Sequence, residues 1–168
     1  MKITRRQLRR IIREELSYTV DADGMKWAKI PEEELKYEQF GNCGMVAIAL
    51  AEEAEARGMG DVLVILVHDE GVNPLVVEDP RWPPSLYHVA VSINGVFYDD
   101  RSIDRGPIPH DQLTVVAGQD LREYDEIQIS SFPLNSDVRK AIELGTTHSK
   151  CPTDFRERAS EILAKYLR

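Results

Sequence analysis

Apolar and polar positions divide the chain into segments of different period. The stretch Phe40-Gly41-Asn42-Cys43-Gly44-Met45-Val46-Ala47-Ile48-Ala49-Leu50 starts with turn-forming residues and then becomes apolar on nearly every face. That pattern predicts a central, buried helix. Asn42 is a good N-cap type, and Gly41 and Gly44 permit tight turns. The helix should run to about Arg57 and stop at Gly58. Residues 62–67 are a continuous apolar run, which predicts a buried strand, and His68 at its end reads as an exposed strand-end residue.

Residues 87–100 alternate on both sides of Asn94-Gly95, the strongest two-residue hairpin signal. Such a turn pairs Ile93 with Val96 and steps outward to Val91–Tyr98, Ala90–Asp99 and His88–Arg101. Side chains alternate faces, so His88, Ala90 and Ser92 share one face with Phe97 and Asp99. Val89, Val91, Ile93, Val96, Tyr98 and Asp100 take the other. Further on, 124–132 alternates as a strand. Residues 136–144 form a helix closed by Gly145, and 154–168 form a last amphipathic helix.

The N-terminal part has its own signals. Thr4 and Gln7 make a capping box, with Ile3 and Leu8 as its hydrophobic staple. Leu8, Ile11, Ile12 and Leu16 then form one stripe with arginines around it. A helix this short must dock on something, its own domain or a protein partner, while a membrane surface or nucleic acid would suit the arginines but is less supported. Asp21, Asp23 and Gly24 mark a turn, and a short acidic helix starts at Pro31. Residues 69–85 carry Pro74, Pro80, Pro83 and Pro84, which exclude a central strand. Trp82 in that loop either packs over a substrate cleft or anchors the loop to the body.

Charge changes the picture at one place. Residues 1–16 hold six Lys/Arg against two Glu, a net of +4, so the remainder holds −12 of the total −8. An acidic body argues against nucleic acid as partner of the main domain. At 168 residues the simplest division is a basic helix at 1–16 and one α+β domain over 17–168. No apolar run approaches the length of a membrane span, and no signal-peptide pattern is visible. Cys43 and Cys151 are expected as free thiols in a cytoplasmic chain.

The chemistry centres on Cys43. A thiol in the first helical turn lies at the positive end of the helix dipole, which favours the thiolate. A buried structural cysteine is the plain alternative. His88 and Asp99, on one face of the hairpin, supply a base and a carboxylate to orient it, while Asp100 points away. The backbone N–H of Cys43 with Gln39, or Asn42 in second place, can hold an oxyanion. The pattern calls for no cofactor. Metal binding by His88, Asp99, Asp100, Asp104 and His110 lacks a tight ligand spacing.

The residues Gly41-Asn42-Cys43-Gly44, His88-Val89-Ala90-Val91 and Val96-Phe97-Tyr98-Asp99 occur in an order that resembles the papain-like superfamily. The nearest likeness is to its transglutaminase-like and bacterial cell-wall-peptidase-like branches, over roughly residues 37–101. The resemblance implies a central cysteine helix packed on an antiparallel sheet carrying His and Asp. It also implies Cys43 as nucleophile, His88 as base and Asp99 as orienting acid. The activity implied is acyl transfer at a protein or peptide amide, by a thiol protease, isopeptidase, deamidase or transglutaminase. Gln39 departs from the pattern, since papain-type enzymes set that glutamine further ahead of the cysteine. The leader from Met1 to Glu14 resembles N-terminal segments of tailed-phage proteins, which implies host cytoplasm or virion as location. A second reading follows from it: a non-catalytic phage structural or host-interaction protein with a papain-like body and a docking helix.

Overall fold

The computed structural model describes residues 18–20, 26–28, 42–77, 86–116, 119–123, 126–145 and 154–167, with the backbone alone at 18–20, 26–28, 42, 43 and 119. The readings made for 3–16, for the helix at Pro31, and for Gln39, Trp82 and Cys151 lie outside these residues.

Strands β1 (Tyr18–Val20) and β2 (Lys26–Ala28) pair antiparallel on either side of the predicted turn. Helix α1 spans Asn42–Ala56, and β3 (Val62–Asp69) follows it. Strands β4 (Leu86–Ile93) and β5 (Val96–Tyr98) form the hairpin in the expected register, with Ile93 opposite Val96 and Val91 opposite Tyr98. Asn94 (φ 53°) and Gly95 (φ 82°) are both left-handed, as a two-residue turn of this type requires. A helical turn, α2 (Ser102–Arg105), and a 3-10 turn (His110–Gln112) lead to the short pair β6 (Val115–Val116) and β7 (Gln119–Asp120). Strand β8 (Ile127–Phe132) returns beside β3, and α3 (Ser136–Gly145) and α4 (Phe155–Tyr166) complete the described fold.

The main sheet has the order β5-β4-β3-β8 and is antiparallel throughout. This is an α+β fold with an antiparallel sheet and helices. Val62, Val64, Leu66, Val89, Val91 and Ile93 share one core with Val46, Ile48 and Leu50 of α1. Ile142 of α3 and Ile162 and Leu163 of α4 belong to the same core. The first half of α1, through Ala51, is apolar on nearly every face because the sheet covers one side of it and α3 and α4 cover others. Each buried Leu or Ile there stabilises by about 1.5–3 kcal/mol. The opposite sheet face holds a smaller cluster of Ile65, Ala90 and Leu113, flanked by Leu63, Phe97 and Ile129.

Two features fix the direction of α1. Gly58 (φ 63°) ends the helix, with the Met59 N–H donating to the Ala54 carbonyl. Asn94 at the hairpin tip then donates from Nδ2 to the Met59 carbonyl at 2.7 Å and accepts the Asp61 N–H at 3.0 Å. Helix α1 and strand β4 therefore finish together at the hairpin end.

Candidate active site

The site is built on the start of β4 and the exit of β5. A bulge between Val67 and His68 of β3 sets Val67 opposite His88 and His68 opposite Leu86, leaving Tyr87 as the extra residue. The chain leaves β5 at Tyr98 and turns at Asp99, whose N–H donates to Ser102 Oγ at 3.0 Å. Alternation puts Asp99 on the same face as His88. His88 Nε2 lies 2.7 Å from Asp99 Oδ2, with His88 5% and Asp99 0% exposed.

Arg101 is the residue the sequence reading did not assign to the site. Its Nε donates to Asp99 Oδ2 at 2.8 Å and its backbone N–H to Asp99 Oδ1 at 2.8 Å. Its Nη1 donates to the Val115 carbonyl at 2.8 Å, and its Nη2 lies 3.4 Å from His88 Nε2. The signal was available, because alternation carried on from Phe97 through Asp99 brings Arg101 to the same face.

Electrostatics separate the two adjacent aspartates. Burial pushes the Asp99 carboxyl up, but hydrogen bonds and charge from His88 and Arg101 outweigh it and hold Asp99 below the usual carboxylate range. Burial, and then the Asp99 charge, push Asp100 up. Asp99 is thus a fixed anion. With Nε2–H donating to it, the neutral imidazole presents Nδ1 as its basic nitrogen.

The sheet faces fix where that ring stands relative to α1. Val89, Val91 and Ile93 share the core of α1, whereas Ala90 packs with Ile65 and Leu113. His88 alternates with Ala90, so its ring leaves β4 on the face opposite the body of α1.

The structure thus joins His88 and Asp99 and puts the backbone of Asn42 and Cys43 in the first turn of α1. The Cys43 and Asn42 side chains lie outside the described atoms. His68 corrects the expectation of an exposed strand end, because it is 1% exposed. Its Nδ1 lies 2.9 Å from the Asp69 carbonyl and its Nε2 lies 2.8 Å from Ser130 Oγ on β8. Beside it, the Tyr87 hydroxyl donates to Asp69 Oδ1 at 2.6 Å.

Among the described residues no three His, Cys, Asp or Glu side chains converge as metal ligands. Of the residues weighed for a metal, His110 packs edge-on against Phe97 at 5.5 Å between ring centroids. No helix among the described residues is long and apolar enough to cross a membrane. Compared with protein-family models, curated proteins and solved structures, the chain matches none.

Proposed function

We propose that the protein is a cysteine-dependent amide hydrolase of papain-like architecture, with Cys43 as nucleophile, His88 as base and Asp99 as the carboxylate that orients it. The observation that carries this reading is the buried 2.7 Å bond between His88 Nε2 and Asp99 Oδ2. It holds the ring in the tautomer that accepts a proton at Nδ1. The position of Cys43 in the first turn of α1 also supports it, since the helix dipole there favours a thiolate.

In this mechanism His88 takes the Cys43 proton and the thiolate attacks the amide carbon of a peptide or protein. The backbone N–H of Cys43 stabilises the oxyanion, with Gln39 or Asn42 as the side-chain donor. The C–N bond breaks as the imidazolium returns its proton to the leaving amine or ammonia. His88 then deprotonates a water, which cleaves the thioester and restores the thiol. An amine in place of water gives transglutamination. Trp82 is the proposed wall of the substrate cleft. Residues 1–16 are proposed to dock a protein partner, and the host cytoplasm or a virion is the proposed setting.

A second reading rests on Arg101. Its bonds to Asp99 and to the Val115 carbonyl also describe a structural ion pair that pins the 112–115 segment to the sheet. In that case the body is a non-catalytic phage structural or host-interaction protein. Mass spectrometry after incubation with glutamine- and peptide-amide substrates separates the two. An acyl adduct on Cys43, released by hydroxylamine and absent in Cys43→Ala, supports the hydrolase. No adduct and no released ammonia or amine over the substrate set rejects it.

A further inference from the structure

The His88–Asp99 pair needs something to keep its carboxylate ionised. A carboxyl with no exposed surface is driven toward its neutral form, and a neutral Asp99 no longer fixes the ring. His88 itself meets most of that need, and Arg101 adds to it from its own short segment. Its Nε and Nη2 lie 2.8 and 2.6 Å from Asp99 Oδ2, while its backbone N–H takes Oδ1. The carboxylate cannot rotate without breaking one of these bonds.

The rest of the guanidinium reaches the chain that follows the hairpin. Nη1 bonds the Val115 carbonyl at 2.8 Å and Nη2 the Gln112 carbonyl at 3.3 Å. Leu113 between them is fully buried against Ile65 and Ala90, on the same sheet face as the pair. The 112–115 segment is therefore anchored on both sides, by apolar packing and by Arg101.

We infer that Arg101 is a positioning residue of the His88–Asp99 site: its guanidinium holds Asp99 as an oriented anion and ties the pair to the 112–115 segment. This rests on the hydrolase reading for its consequence in turnover, but its effect on His88 is independent of any substrate. A planar fork with several fixed donors is required. Lysine supplies the charge but not the geometry.

The test is imidazole NMR on the full chain, comparing wild type with Arg101→Gln and Arg101→Lys and checking each fold by circular dichroism. In Arg101→Gln a cation beside His88 Nε2 is lost while Asp99 and the raised Asp100 remain. The His88 titration should therefore move to higher pH, and its Nε2–H signal should broaden. Arg101→Lys keeps the charge, so the midpoint should stay near wild type while the Nε2–H signal still shifts. A folded Arg101→Gln with an unchanged His88 midpoint and Nε2–H signal overturns the inference. So does a His88 signal that behaves alike in both variants. Should Arg101→Gln not fold, the Nε2–H signal of Arg101→Lys decides: a shift supports the inference and no shift overturns it. Where a thioester-forming substrate is in hand, Arg101→Lys should lower kcat by about a hundredfold with KM little changed. A wild type with no turnover removes the hydrolase reading and leaves the NMR result standing.

Discussion

Asp99 follows the last residue of β5, yet its Oδ2 stands 2.7 Å from the Nε2 of His88 near the start of β4. A two-residue turn made this meeting, because it fixes which residues of the two strands share a face. The carboxylate is fully buried, so its charge is held by its neighbours and not by water.

Adjacent aspartates should respond to mutation with opposite sign. Asp99→Ala leaves His88 and Arg101 without their shared anion and should cost about 3–5 kcal/mol at neutral pH. The Asp99 carboxyl lies below its usual range when folded. Its contribution is therefore complete above the unfolded value and is lost as pH falls through the folded one. The gap between wild type and Asp99→Ala should shrink on acidification. Asp100 is raised, so its contribution is present at low pH and lost as pH rises. Asp100→Asn should then raise the melting temperature at neutral pH. Thermal melts from pH 3 to 7 check both signs.

The joint between α1 and the hairpin predicts a ranking. Gly95 (φ 82°) has open space at its Cβ position, so Gly95→Ala should cost only the left-handed backbone penalty, about 1–2 kcal/mol. Gly60 (φ 91°) has the Asn94 amide where a Cβ would stand. That amide is held by the Asp61 N–H and the Met59 carbonyl, so Gly60→Ala should cost more than Gly95→Ala. Urea denaturation of the two variants measures the order.

His68 and Ser130 should be coupled. Ser130→Ala leaves Nε2 of a buried ring without its hydroxyl and should cost about 1–3 kcal/mol. In His68→Leu the same serine change should cost clearly less, because there is no imidazole left to satisfy. Equal costs in both backgrounds would show that the bond contributes nothing to joining β8 to β3.

How much of this was legible follows from how local each signal is. The hairpin register was readable because Asn94-Gly95 and a strict period of two act over a few residues. Helix α1 was readable because nothing but burial explains an apolar run on every face. What alternation cannot say is which face a distant helix covers. That His88 lies opposite the body of α1 depends on Val89 and Val91 joining the α1 core. His68 was misread for a similar reason, since its cover depends on Ser130 of β8, far along the chain. The bulge at Tyr87 left no mark in the pattern, and the β1–β2 pair left only its turn at Asp21, Asp23 and Gly24.

The most direct measurement is the pH dependence of Cys43 alkylation by iodoacetamide, with Cys151 as internal control and His88→Ala as comparison. With His88 serving the thiol, Cys43 should react far faster than Cys151 at pH 6–7, and His88→Ala should move its profile to the ordinary thiol range near about 8.5. A Cys43 that reacts no faster than Cys151, or whose profile is unchanged in a folded His88→Ala, would contradict the assignment of this pair to an activated thiol.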